Sequence, residues 1–368
     1  MPLSLHPPPI RFDESLERVE PDEAETVEQL IETLTRINQT TLEHEKHAHR
    51  SVHAKSHALL TGELIVPGDL PRELAQGLFA REGRYPLVMR LSTVPGDLLD
   101  DSVSTPRGMA LKVIGVEGER LPGSDGDITQ DFVLVNGPVF SASNAKRFAA
   151  SLKLVAATTD RAEGAKKALS AVLRGTERVI EAFGGKSATL LNLGGQPETH
   201  PLGDTYYSQA PLRFGDYVVK LSVAPHSPNL TALTDAELNV NGKPNGLREA
   251  MVNHFAKEGG EWDLRVQFCT DPDAMPIEDA SVRWPEEKSP YIDVARIVVP
   301  PQPAWNAARR GAIDDRMAFS PWHGLAAHRP LGSVMRARRV AYKVMARFRA
   351  HHNHVVIREP RSIDDLGL

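Results

Sequence analysis

The feature that most constrains how this chain can fold is a series of short apolar segments, each closed off by glycine, proline or aspartate. ALLTGELIV (58–66), PLVMRLSTV (86–94), GMALKVIGV (108–116) and QDFVLVNG (130–137) come first. TYYSQAPL (205–212), YVVKLSVA (217–224), LRVQFCT (264–270) and YIDVARIVV (291–299) follow. Their β-branched residues and alternating apolar positions read as strands. The fifth and sixth segments are joined across Arg213–Asp216, which reads as a hairpin with Gly215 in the turn. Eight short strands with few strand–helix–strand alternations predict an antiparallel barrel with helices packed outside, an α+β architecture.

Helical periodicity marks four other stretches. From Asp22, DEAETVEQLIETLTRINQTTLEHE carries Val27, Leu30, Ile31, Leu34 and Ile37 at helical spacing, with an acidic first turn suited to the positive end of the helix. NAKRFAASLKLVAA (144–157), AEGAKKALSAVLRGTERVIEAFG (162–184) and GSVMRARRVAYKVMARFRAHH (332–352) complete the set. The proline-rich first twenty residues read as an arm, and PPQPAW (300–305) as a crossing segment. The expected organisation is an N-terminal arm and helix (1–45), a barrel core with inserted helices (46–312), and a last helix with a tail (313–368).

A net charge of −5 with both signs interspersed gives no support to a nucleic-acid or membrane-surface role. No stretch reaches the roughly 18–20 apolar residues of a membrane span, and MPLSLHPPPIRFDES has no basic start followed by an apolar run. Cys269, the one cysteine, sits in a strand pattern and reads as a buried, inert thiol in a reducing compartment. A cytoplasmic, globular protein is expected. Whether it forms a homo-oligomer is left open.

Two segments carry candidate chemistry. HEKHAHRSVHAKSH (44–57) holds five of the fourteen histidines. His44-Glu45-Lys46-His47 is one residue short of the zinc-hydrolase spacing. His49, His53 and His57 fall at i, i+4, i+8, so a helix there would align three imidazoles, but no acidic or sulfur ligand has matching spacing. Solvated histidines are the plainer reading. In the last helix, Arg338 lies four residues before Tyr342 and Arg349 seven after, so the three share one face. Arg336, Arg339, Lys343 and Arg347 fall mainly on other faces and read as solvated charge. A guanidinium one turn from a phenol favours the phenolate, and a phenolate is a strong, hard ligand for ferric iron.

RVAYKVMARFR (339–349) resembles the proximal haem segment of the catalases, in which a tyrosine binds haem iron beneath an arginine one turn earlier. A second arginine of that segment reaches a haem propionate, and Arg349 matches it in spacing. RSVHAK (50–55) is similar to the family's distal motif, which implies Arg50 as a propionate partner and His53 as the distal histidine. MRLSTVPGD (89–97) implies Arg90 as a further propionate partner and Ser92 as the hydrogen-bond partner of His53. TPRGMALK (105–112) follows in order. QDFVLVNGPVF (130–140) resembles the distal asparagine region, with Asn136 the candidate, and Phe148 matches the phenylalanine over the haem.

The resemblance implies a catalase-like barrel, haem b, and cleavage of the O–O bond of hydrogen peroxide or an organic hydroperoxide, with an unidentified reductant. His53 would move protons, Asn136 would hydrogen-bond the peroxide, and Tyr342 would be the axial ligand to haem iron. The chain departs from the family in four places. It stops soon after the proximal helix, before the family's C-terminal helical domain, and no nicotinamide-cofactor site is found. Val344-Met345 replaces the usual aspartate-threonine pair, and Val135 occupies the slot of the distal asparagine, with Asn136 one residue on. These traits resemble shortened catalase-like haem proteins, which include peroxidases and fatty-acid hydroperoxide-converting enzymes. Val52 beside His53, where allene-oxide-forming relatives carry threonine, favours proton transfer to peroxide. The alternatives are a fatty-acid hydroperoxide-converting enzyme and a non-catalytic haem carrier or sensor on the same fold.

Overall fold

A computed structural model of the chain describes residues 7–94, 96–156 and 197–368. Nine strands form one antiparallel sheet: β1 (Lys55–Val66), β2 (Gly83–Thr93), β3 (Arg107–Ile114), β4 (Thr129–Val135), β5 (Tyr206–Tyr207), β6 (Leu212–Phe214), β7 (Tyr217–Pro225), β8 (Gly260–Phe268) and β9 (Ile292–Val299). They run in the order β5-β4-β3-β2-β1-β9-β8-β7-β6, and β5 also pairs with β7. That pairing closes eight strands into a barrel and leaves β6 as a flap hydrogen-bonded to β7. All eight strand segments read from the sequence are barrel strands. The expected hairpin forms, but its first arm is β6, with Gly215 (φ 59) in the turn; Tyr206 and Tyr207 pair with Val223 and Ser222 at the far end of β7. Positive φ is cheap for glycine, which is why the turn falls there.

Alternation decides what the barrel holds inside. Leu87, Met89 and Leu91 of β2, Met109, Leu111 and Val113 of β3, and Phe132 and Leu134 of β4 join one buried core with Leu221, Leu264, Val266 and Ile297. The opposite parity of the same strands carries Arg90, Ser92, Gly108, Lys112 and Val133, so those residues look outward. Against that outer face lie α1 (Glu23–Glu45), α2 (Ala145–Ala156) and α4 (Ser333–His352), while α3 (Gly246–Phe255) packs near β1. Leu30, Leu34 and Ile37 of α1, Ala145 and Ala149 of α2, and Ala337, Ala341 and Met345 of α4 form a second core. The expected helix at 162–184 lies outside the described residues. No helix among the described residues is long and apolar enough to cross a membrane.

Two expectations are corrected by packing. Residues 7–20 are not a free arm. Ile10, Phe12 and Leu16 pack against the cluster containing Trp284 and Met275, and Glu17 is paired with Arg329 and Arg336. Arg336 is not solvated charge: it gathers Glu17, Glu23 and Glu278, and so pins the start of α4 to the N-terminal segment. Cys269 is buried, as expected, and burial pushes its thiol up to about 12.

On the outer face of β3, Lys112 is fully buried, with its ammonium 2.6 Å from both Asp131 and Glu359. Glu359 belongs to the C-terminal segment, so this ion triad ties the tail to the barrel beside α4. Removing one partner of a buried pair leaves an uncompensated charge. Asp131→Ala should cost about 3–5 kcal/mol of unfolding free energy, whereas Glu63→Ala, which breaks the exposed pair with Arg84, should cost less than about 1 kcal/mol. Urea denaturation of both variants checks the contrast.

Candidate active site

α4 forms one side of the site. The Tyr342 hydroxyl accepts a hydrogen bond from Arg338 Nη2 at 2.5 Å, and the guanidinium lies 4.9 Å from the ring centroid. Arg349, 4 % exposed, is on the same face; its Nη2 donates to the Met317 carbonyl, and its Nε has no partner. Burial pulls the Arg349 guanidinium down to about 10, the Asp314 carboxylate opposing, so it remains a cation at neutral pH.

His53 forms the opposite side. The histidine-rich segment is not helical there, since α1 ends at Glu45 with Lys46 left-handed (φ 54) and β1 begins at Lys55. The imidazoles of His49, His53 and His57 therefore do not align. Among the described residues no three His, Cys, Asp or Glu side chains gather to hold a metal ion. His44 is exposed and His47 is half-buried on Asp315. His57 is no solvated bystander: it is the extra residue of a bulge in β1, buried, with Nε2 2.9 Å from Thr93 Oγ1.

His53 is itself strained. Its φ of 55 places a non-glycine residue in the left-handed region, and the Arg90 guanidinium holds its carbonyl at 2.8 Å. Ser92 Oγ lies 3.4 Å from Nδ1. The ring lies over Gly108, where a Cβ would come within 2.5 Å of Nδ1. Glycine inside a strand signals such a close approach. Burial, then the cations Arg90, Arg338 and Arg50, pull the His53 imidazole down to about 3, so it is neutral at pH 7.

Between the two sides is a cavity of about 230 Å³. Arg50, Val52, His53, Ser92, Phe148, Arg338, Tyr342 and Arg349 all line it, so eight of the ten site residues expected from the sequence meet there. Phe148 of α2 packs against Phe140, the rings tilted with centroids 4.9 Å apart, forming one apolar wall.

The other two differ. Arg90 backs the cavity rather than lining it, with Nε 2.7 Å from Asp314. Asn136 is corrected outright: Oδ1 accepts from Arg107 N at 2.8 Å and Nδ2 donates to Asp204 at 3.0 Å, both away from the cavity. Val133 and Val135 line the cavity, and the next residue in an extended chain points to the other side. Among the cavity-lining residues, no amide takes the place of the one expected at 136 except Gln209, which donates to the carbonyls of Gly137 and Val139.

Sequence reasoning missed Asp314. It lies in a short π-helical segment, Arg310–Asp315, a form that often marks functional sites. Its carboxylate accepts from Arg50 Nη1 at 3.0 Å, Arg90 Nε at 2.7 Å and Ser56 Oγ at 2.5 Å. Burial opposes its ionisation, but Arg90 and Arg50 outweigh it and hold the carboxyl well below the usual range. No local pattern distinguishes Asp314 from the adjacent Asp315.

The donor set fits haem: a phenol under a guanidinium, a neutral imidazole across an apolar slot, and a buried arginine with an unpaired N–H suited to a propionate. A closed eight-stranded antiparallel barrel with helices around it matches the catalase fold. The chain is similar to a fungal catalase (20 % identity, TM-score 0.60), covering 86 % of this chain and 62 % of that one. It is similar also to catalase A from Saccharomyces cerevisiae (18 %, TM-score 0.57, covering 84 % and 63 %) and to a bacterial catalase (16 %, TM-score 0.55, covering 99 % and 70 %). The chain thus has the catalase fold, over less than two thirds of the length of the first two. No protein-family model and no curated protein matches the sequence.

Asn136→Ala should lower stability by about 1–3 kcal/mol, because it strips partners from a strand N–H and from Asp204. Haem uptake, followed by absorbance titration, should stay at the wild-type level. Lost uptake at an unchanged melting temperature would put Asn136 back in the cavity.

Proposed function

We propose that this chain is a haem-dependent enzyme that cleaves peroxides, of the catalase or peroxidase type. The observation that carries this reading is that the Arg338–Tyr342 pair and a neutral, half-buried His53 line one cavity from different elements. Tyr342 would ligate haem b from α4, Phe148 and Val52 would flank the ring, and Arg349 and Arg50 would take the propionates, with Arg90 supporting from behind. Haem, when bound, supplies the redox chemistry.

His53 is placed to move a proton. As a neutral base it takes the peroxide O–H proton and returns it to the departing oxygen, which leaves as water or an alcohol. Ser92 and the hydrogen bond from Arg90 to the His53 carbonyl keep the ring from turning out of line. Val52 offers His53 no competing hydroxyl.

A second reading of the substrate has its own support. With Val135 where an amide was expected, and Phe140, Phe148 and Val133 beside it, the slot offers apolar surface rather than hydrogen bonds to a second oxygen. That favours an organic hydroperoxide, fatty-acid hydroperoxides included, over hydrogen peroxide. Comparing kcat/KM for hydrogen peroxide and cumene hydroperoxide decides between them.

Tyr342→Phe should lose haem on gel filtration and abolish a tyrosinate-type absorption spectrum; full retention with an unchanged spectrum overturns the axial assignment. His53→Ala should keep haem, since no bond to it is removed, yet lower peroxide turnover by about 10²–10⁴-fold, the usual cost of losing a general acid–base. Turnover equal to the wild type would favour a haem carrier instead.

A further inference from the structure

A second cavity, of about 130 Å³, lies behind the arginine cradle and shares Arg50 and Arg349 with the first. A single water needs only about 10–15 Å³ of such space, so this one has room for a small organic molecule. Five cationic side chains line it against two carboxylates, Asp314 and Asp315.

Two of the five are satisfied. Lys55 is held by Asp101 and the carbonyls of Leu99 and Pro244. Arg50 is held by Asp314 and the carbonyls of Ile313 and Met317. Asp315, for its part, is taken by His47.

Of the other three, Arg349 is the propionate partner proposed above, while Arg310 and Arg248 keep free donors. Arg310 makes no side-chain hydrogen bond or ion pair with any described residue. Arg248 uses Nε and Nη2 on the Ser56 carbonyl, and its guanidinium lies 4.0 Å from the centroid of Trp305. Arg310 is thus a half-buried cation with no carboxylate partner among the described residues. An unpaired charge that is partly desolvated is costly, and a monoanion would relieve it.

We propose that this cavity binds a small organic carboxylate, its charge on Arg310 and Arg248 and its body against Trp305 and Leu98. Resting on the function proposed above, the ligand is the reductant, a carboxylate-bearing phenol. Two such phenols each give up one electron and one proton, which balances the reduction of ROOH to ROH and water.

Calorimetric titration of the haem-loaded protein with benzoate, and with its neutral isostere benzamide, tests the site. Benzoate should bind and benzamide should not, and Arg310→Ala should weaken benzoate by at least about tenfold, as loss of a charged partner does. Arg248→Gln, which keeps a polar group over Trp305, should weaken it less. Equal binding of the two probes, or an effect of neither variant, overturns the site.

The reductant role has a separate readout. Arg310→Ala should raise KM about tenfold for 4-hydroxyphenylacetate while leaving 4-methylphenol oxidation unchanged. Unchanged KM for both phenols overturns the reductant role and leaves the carboxylate site standing. A wild-type protein that binds benzoate but consumes no peroxide overturns the reductant role together with the proposed activity, and again leaves the site.

Discussion

The Asp314 carboxylate is the fixed point of the pocket. It draws Arg50 from the loop after α1 and Arg90 from the outer face of β2 onto one buried group. Arg90 in turn grips the His53 carbonyl and so sets where the imidazole stands. A buried carboxylate survives only when its partners more than offset desolvation, and here two guanidiniums and the Ser56 hydroxyl do so. His53 is therefore held from below by charge and from the side by Gly108, which leaves room for the ring and for nothing larger.

Much of this was legible from the chain. The eight barrel strands show themselves because each buries one face, which imposes a period of two. α4 shows itself because Ala337, Ala341 and Met345 must meet α1 at a period near 3.6. What the sequence hid was long-range or set by parity. Asn136 resembles a catalytic amide by type, but strand alternation turns it to Arg107 and Asp204. Arg336 and Asp314 look like ordinary surface charge, because their partners come from distant parts of the chain. Ile10 and Phe12 are too short a signal, inside a proline-rich run, to announce that they pack.

The likeness to catalases, at 16–20 % identity, lies in the scaffold, and a fold does not fix the chemistry it carries. Val135, Phe140, Phe148 and Met345 give the cavity an apolar lining, and Gln209, the amide there, is spent on the carbonyls of Gly137 and Val139.

Because β5 pairs with β7, the barrel is complete without the pocket: its interior is filled by side chains of the parity opposite to the one that faces the helices. The sheet's stability is thereby uncoupled from the cavity: substitutions among the cavity-lining residues of α1, α2 and α4 can reshape it without unpairing a strand.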